Sequence, residues 1–459
     1  MKFNRLLPLT LTFLLIAGLA LSACTSAPSQ EAATGPEAAP AASGEQVTLR
    51  YALWDANQLP PYEACAEKFM ELNPNIAIKI EQSGWGDYWP DLQTGFVAGT
   101  APDVFTNNIS KLPEFVSKGQ VIDIQPWVER DGVSVDQYIG DLADLWAKES
   151  ARYGFPKDWD TVAVFYNKAM LEEAGIDPAV MEDWTWNPQD GGTFEEAVAK
   201  LTLDANGNNG LSPDFDPDNV VQYGFITENS SADGHTQWSH WGVSNGWYYN
   251  DGPWSDHYYY DDPAFIEAIQ WYADLHLEKG YSPPFEDTSS LGKSALFAAG
   301  RGAMTTDGSW MINWYAENTD FEIGFGKLPI GPEGRKSMFN GISDTIWVGT
   351  EHPDEAWEWV KYLASSDCLD SVGASAVVFP SIQSGVDAAL AAFEAKGLDV
   401  SAFTEEALDP EGTFLYPVTD HASEIVAIMT PVLDSIMLGT ATAADVLPEA
   451  NAKINALFD

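Results

Sequence analysis

Between Val47 and Asn108 the hydrophobic period of the chain switches back and forth, and that switching limits the folds open to it. In "VTLRYALW" the apolar Val47, Leu49, Tyr51 and Leu53 alternate as one face of a strand. The next stretch, "PPYEACAEKFMELNP", carries Tyr62, Cys65, Phe69 and Leu72 at helical spacing, with Pro61 suited to a first turn and Pro74 closing the run. Ile76, Ile78 and Ile80 alternate again, "YWPDLQTGFVAG" reads as a helix up to Gly99, and "PDVFTN" gives a further short strand. The order β-α-β-α-β predicts an α/β fold built on a parallel sheet wound with helices.

Beyond "GFPKDWDTVAVFYNKAMLEEAG" the chain becomes rich in Trp, Tyr, Asn, Asp and Gly, with Trp184, Trp186, Trp238, Trp241, Trp247 and Trp254 among them, and loops are expected to dominate. Helical spacing returns at "PAFIEAIQWYADLHLEKG" and "SALFAAGRG". Strands are expected at "AMTTDGSW" and near "FEIGFGKLP", and a helix at "PDEAWEWVKYLASSD". The last stretches, "HASEIVAIMTPVLDSIMLG" and "AADVLPEANAKINALF", read as helices, the second with Leu447, Ala450, Ile454 and Leu457 on one face.

At 459 residues, 45% of them hydrophobic, the chain exceeds one ordinary domain and predicts two lobes. The 69 acidic residues against 22 Lys and Arg give a net charge of −47, which excludes nucleic acid as a partner because phosphates demand cations. Most of these carboxylates are read as a solvated surface. With three cysteines the chain is no disulfide scaffold. Cys65 and Cys368 both fall on expected helices, and the sequence leaves open whether they pair.

The N-terminus has a basic start at Lys2 and Arg5, then an apolar run from Leu6 to Leu21 that is shorter than the roughly 20 residues a membrane span needs. This predicts a signal peptide over residues 1–23. Leu21-Ser22-Ala23-Cys24 resembles the lipobox of bacterial lipoproteins, which implies that Cys24 carries lipid and tethers the chain to the membrane. Residues 24–46, rich in Ala, Ser, Pro, Glu and Gly, are then a disordered linker.

The order of "W…F..LNP.I.I", "G.APDVF", "GFPKDWDTVAVFYNKAMLEEAGI", "LFAAGRGAMTTDGSW" and "FGKLPIGPEG" resembles the extracellular solute-binding proteins of ABC importers, in the carbohydrate-binding branch that includes maltose-binding protein. The resemblance runs from Val47 to Phe458. It implies a two-lobed, type II periplasmic-binding-protein-like fold, each lobe a central sheet wound with helices, with the ligand cleft between them. By the family pattern, crossings fall near Gly154–Asp160, Leu328–Ile330 and Val377–Pro380. Lobe one is then residues 47–155 plus 331–376, and lobe two residues 156–330 plus 377–459. A monomeric, lipid-anchored protein on the extracytoplasmic face, at the cell surface or in a periplasm, would close on a sugar or oligosaccharide and hand it to permease subunits.

A sugar needs flat aromatic faces for its C–H groups and acids or amides for its hydroxyls, set beyond the carboxyl ends of the strands. Trp54, Asp55 and Asn57 follow the first strand, Trp85 and Asp87 the second, and Asn107 ends the third. Asp158, Trp159 and Asp160 lie at a crossing, Asp307 and Trp310 follow a lobe-two strand, and Ser343 and Asp344 stand in the returning lobe-one segment. Trp241 and Trp247 are loop candidates of the same kind. By resemblance, Trp310 matches the sugar-stacking tryptophan of the branch and Asp160 a crossing acid. Trp357 and Trp359, on a helix, and Tyr166, in "VFYN", read as packing residues instead.

No cofactor is expected. "DANGNN" imitates the start of a calcium loop through Asp204, Asn206 and Asn208, but its Gly comes one place late and Phe215 stands where the bidentate Glu belongs. His235, His240 and His257 share a loop-rich region without a standard zinc spacing. No "HExxH" or P-loop pattern occurs, which argues against an enzyme; a glycoside hydrolase remains as an alternative, as does a binding protein for a cationic solute such as a polyamine.

Overall fold

The computed structural model describes residues 46–140, 142–228, 234–409 and 411–459. The expected signal peptide, Cys24 and the linker up to residue 45 lie outside the described residues.

Strands β1 (Val47–Leu53), β2 (Ile76–Gln82) and β3 (Val104–Asn108) come first, separated by the helices Leu59–Leu72 and Trp85–Ala98, as the periodicity predicts. Proline opens the first of these helices, and Gly99 ends the second in the left-handed region. A small hairpin pairs β4 (Ala147–Lys148) with β5 (Ala151–Arg152), and β6 (Phe155–Asp160) then runs through Thr161 into β7 (Val162–Asn167). Next come β8 (Leu203–Asp204), β9 (Val220–Ile226), β10 (Gly302–Gly308), β11 (Ile323–Gly326), β12 (Ser337–Ile346), β13 (Phe379–Pro380) and β14 (Thr413–Leu415).

These strands make two principal sheets. The first has the order β13-β6-β12-β3-β1-β2, with β14 added on β12, and the second the order β11-β7-β10-β9-β8. In the first sheet β1 lies parallel to β2 and β3, while β12 runs antiparallel between β3 and β6. In the second, β9 and β10 are parallel and β7 is antiparallel to β10. This is the two-lobed α/β fold expected from the resemblance, each lobe a sheet wound with helices.

The aromatic middle is more regular than its composition suggests. The helix Gly192–Leu201 and strand β9 both fall inside the stretch read as loop. Central strand β12 is buried along its whole length although it carries Asn340, Ser343, Asp344 and Thr345. Polar side chains hid it from a hydrophobic pattern.

Packing follows the sheets. On one face of the first sheet Tyr51, Tyr62, Phe69, Trp357 and Trp359 form a core; another cluster gathers Trp89, Phe105, Phe115 and Trp347. Trp357 and Trp359 are fully buried and Tyr166 is in the core around the second sheet, matching their reading as packing residues. Cys65 and Cys368 form a disulfide with Cα atoms 5.3 Å apart, joining the helix Leu59–Leu72 to the helix Ser366–Gly373 across 303 residues of sequence. Cross-linking so long a loop restricts the unfolded chain, a gain of about 2–4 kcal/mol. Cys368→Ser should therefore lower the midpoint of chemical denaturation by an amount equivalent to about 2–4 kcal/mol. An unchanged midpoint would show that the bridge adds nothing.

Candidate functional site

The carboxyl ends of β1, β3 and β6 point the same way, because β12 is antiparallel to both β3 and β6 while β1 is parallel to β3. The carboxyl ends of β9 and β10 meet the start of β7, since Gly308 pairs with Val162. With only Thr161 between β6 and β7, the strand ends of both sheets converge on Asp160. The Ser309 hydroxyl, just past β10, donates to Asp160 Oδ1 at 2.7 Å, and the Ser309 N–H donates to the Thr161 carbonyl at 3.0 Å.

Asp160 is buried, and that desolvation pushes its carboxyl up to about 7; the Ser309 hydrogen bond opposes the shift and the Asp55 charge adds to it. Asp158 lies beside it, raised by burial and by the charge of Asp160, and accepts from the Ile342 N–H at 3.2 Å. Asp55, just past β1, is raised by burial and accepts from the Asn57 N–H at 2.8 Å.

Aromatic rings flank these acids. Trp54 is half-buried, with ring centroids 5.1 Å from Trp85, 5.3 Å from Tyr88 and 5.3 Å from Trp89. Trp85 is 49% exposed. Past β10, the Trp310 ring folds back over Gly308, where a Cβ would come within 2.1 Å of it. Trp310 also packs on His235 at 5.0 Å, and His235 on Tyr416 at 5.4 Å.

Other candidates are placed differently. Asn57 and Asp87 are exposed, Asp87 in the first turn of the helix Trp85–Ala98. Asn107 is buried opposite Ser343, and among the described residues neither its amide atoms nor the Ser343 hydroxyl finds a hydrogen-bond partner. Asp344 accepts from the hydroxyls of Tyr51 and Thr106 and pairs with Lys157 at 3.3 Å. Asp307 accepts from the Tyr315 hydroxyl at 2.8 Å and lies 3.7 Å from Lys293. These two acids hold their own lobes together.

Three of the tryptophan candidates are core residues in this structure. Trp159 is sandwiched between Phe379 and Phe339, because its position on β6 turns it into the core. Trp241 packs among Phe194, Trp186 and Trp271, and Trp247 lies on Phe265 at 4.2 Å while donating to the Tyr259 carbonyl. Both are fully covered, since the helix Pro263–Leu277 supplies an apolar face that loops alone would not.

The Asp204 carboxylate is engaged by the N–H groups of Asn206, Asn208 and Asp216 and by the Asn208 amide, so the loop closes on itself. His240 is buried against Trp241 and burial lowers it to about 3, His235 sits by Trp310, and His257 packs on Tyr259. No group of three potential metal ligands occurs among the described residues.

The residues missed from sequence are Ser309, which bonds Asp160, and Lys157, the buried base next to the crossing acids. Lys157 had a signal: a lone base between aromatic and acidic residues in "FPKDWD".

Two wound sheets joined by a strand that passes directly from one to the other, with acids and indoles at the facing strand ends, define a two-lobed solute-binding fold. The chain belongs to the bacterial extracellular solute-binding protein family, whose pattern matches residues 55–367. Among solved structures it is similar to M. tuberculosis UspC, with 24% identity and a TM-score of 0.73 over 89% of this chain and 100% of that one. It is also similar to the ABC substrate-binding protein Lmo0181 from Listeria monocytogenes, solved in complex with cycloalternan, with 18% identity and a TM-score of 0.77 over 90% of this chain and 99% of that one. The galactooligosaccharide-binding protein of Bacillus subtilis (strain 168) is 23% identical over 362 residues, 77% of this chain and 76% of that protein.

Asp160 gives a pH prediction with a definite sign. Its folded value of about 7 lies above the ordinary 3.8, so the folded state holds the proton more tightly than the unfolded chain. Its contribution is fully favourable below pH of about 4 and is lost as the pH rises through about 7. Asp160→Asn keeps an acceptor for Ser309 but cannot ionise. The stability of this variant relative to wild type should rise from pH 4 to pH 7 in urea titrations; a flat difference would contradict the raised value.

Proposed function

We propose that this chain is an extracytoplasmic sugar-binding protein that captures an oligosaccharide between its lobes and delivers it to the permease of an ABC importer. The observation that carries this reading is the pairing of aromatic platforms with hydroxyl-binding groups at the strand ends of both sheets: Trp54, Trp85 and Asp55 on one side, Asp160 at the crossing, Ser309 and Trp310 on the other. Indole faces suit the C–H faces of sugar rings, and the carboxyls and hydroxyl suit their hydroxyl groups. The names of relatives support it, since they include a maltotriose-binding protein of Pyrococcus abyssi and the galactooligosaccharide-binding protein of Bacillus subtilis. Those relatives are binding proteins, which supports capture without catalysis.

The lipobox-like Leu21–Cys24 supports attachment to the membrane through lipid. Among the described residues no helix is long and apolar enough to cross a membrane. Lipid on Cys24, followed by the linker to residue 46, would hold the lobes beside the permease. Cys24→Ala should move the protein from washed membranes to the aqueous fraction with ligand binding intact; retention in the membranes would exclude the anchor.

The ligand is testable by thermal shift against a panel that includes maltotriose, galactooligosaccharides, mannotriose and spermidine. A ligand at 100 times its dissociation constant stabilises by about 2.7 kcal/mol. A shift with spermidine and none with sugars would favour the cationic alternative, and release of shorter sugars would favour the hydrolase. Trp310→Ala should weaken sugar binding about tenfold or more, taking a stacked ring as about 1–3 kcal/mol. The buried Trp359→Ala should instead lower the melting temperature with little effect on affinity. Wild-type binding by Trp310→Ala would remove this residue from the site.

A further inference from the structure

The strands that cross between the sheets are not the only link between the two halves of the molecule. The β4–β5 hairpin carries Lys148, and its Nζ sits 4.1 Å from the centroid of the Trp254 ring. The hairpin is fastened to the first sheet's side. The Arg152 N–H donates to Asp123 Oδ1 at 3.0 Å, the Ile124 N–H donates to the Arg152 carbonyl at 2.7 Å, and the neighbouring Ile122 N–H donates to Ile346 of β12 at 3.0 Å. Trp254 is fastened to the other side. Its loop is tied to the helix Ala443–Asn455 through Asn455, whose amide oxygen accepts from the Tyr258 N–H at 2.8 Å. In turn Asn451 on that helix accepts from the Tyr260 N–H at 2.9 Å.

Backbone strain marks the same place. Among the described residues, the non-glycine positions with positive φ are Glu149 at 55°, Trp254 at 64° and Ala376 at 51°. Glu149, the residue after Lys148, opens the two-residue loop of the β4–β5 hairpin, where a tight turn itself takes positive φ. Trp254 is the ring itself, and a bulky residue keeps this conformation only where its surroundings over-determine it. The Trp254 N–H donates to the Val418 carbonyl at 2.8 Å, which holds the ring in this pose. A separate hydrogen bond, from the exposed Ser423 hydroxyl to Glu114 Oε2 at 3.4 Å, joins the start of the helix Ala422–Met437 to the helix Leu112–Ser117.

We infer that Lys148 and Trp254 form a latch between the lobes, a cation–π contact made only when they are closed, and that it sets how long captured solute is held. The inference rests on the capture of solute between the lobes proposed above, but the latch itself acts without ligand. Opening the lobes would separate two groups anchored to different sheets. A contact present in one state alone shifts the equilibrium toward that state by its own free energy. Lys148 and Trp254 are thus positioning residues, outside the group of strand-end residues that would touch solute.

The test uses the full chain, purified as wild type, Lys148→Met, Trp254→Ala, the double variant and Lys148→Arg. Small-angle scattering without ligand should give a larger radius of gyration for each single variant, the double variant matching the singles, and Lys148→Arg restoring the wild-type value because guanidinium also binds an indole face. The melting temperature of Lys148→Met should stay near wild type, while Trp254, whose ring also packs against the core around the second sheet, is read by its radius of gyration and not by its melting temperature. With maltotriose as the probe, release should be about three- to tenfold faster in the single variants, the scale of one cation–π pair. Wild-type radii in both single variants, or Lys148→Met unchanged in every readout, would overturn the latch. If maltotriose fails to bind wild type, that result bears on this choice of sugar, while the ligand-free radii still decide the latch.

Discussion

One residue, Thr161, separates the last strand residue of the first sheet from the first strand residue of the second. It is buried, its hydroxyl donates to the Phe403 carbonyl at 2.9 Å, and its carbonyl accepts from Ser309. Next to it, the Ser337 hydroxyl accepts from the Val162 N–H and donates to the Val162 carbonyl, which ties the start of β12 to the crossing. So short a passage forces strand ends of both sheets to one place. Ligand sites of open α/β sheets lie beyond such ends, and here the ends of two sheets share them. This passage is one of the links that movement of one lobe against the other has to accommodate, as hinge closure requires.

Register is the next condition, and one buried cluster supplies it. Lys157 on β6 donates to Tyr51 of β1 at 2.9 Å and to Thr106 of β3 at 3.2 Å, and pairs with Asp344 of β12. Its Nζ also lies 3.8 Å from the centroid of the Tyr62 ring. Burial lowers the Lys157 ammonium while the charge of Asp344 opposes the shift. A one-residue slip of any of the four strands would turn its member of the cluster to the opposite face. The same register sets Asn340 opposite Asp160 and Ser343 opposite Asn107. Polar residues inside β12 thus trade hydrophobic burial for a fixed alignment at the crossing.

The first half of the first sheet was legible because each element is amphipathic in its own period: Leu49, Tyr51 and Leu53 face a core, and Tyr62, Cys65 and Phe69 pack against it. Trp357 and Trp359 were legible for the same reason. Strand β12 was not, since Asn340, Ser343 and Asp344 are satisfied or enclosed by tertiary partners that no local pattern encodes. Trp241 and Trp247 resembled loop platforms only until the helix Pro263–Leu277 supplied Phe265 and Trp271 to cover them. Trp159 lies on the opposite face of β6 from its neighbours Asp158 and Asp160, a difference that its place in the crossing motif alone does not reveal. The disulfide joins residues too far apart in sequence for spacing to reveal it.

Charge at the crossing differs from charge on the surface, and the difference bears on the kind of solute the cleft suits. The chain carries a net charge of −47, yet Asp344 is balanced by Lys157, and Asp160 is raised to about 7 by burial. A carboxyl that keeps its proton near neutral pH donates as well as accepts, which matches a hydroxyl better than it matches a cation. The aromatic rings are also set in advance. Trp54 is braced by Trp85, Tyr88 and Trp89, and Trp310 lies across Gly308 against His235. In the proposed site, rings fixed before binding lose little rotamer freedom when solute arrives, so more of each stacking contact would be retained as affinity. Rigid apolar faces around partly neutral acids would there favour a neutral polyhydroxylated solute, even though the protein as a whole would attract cations.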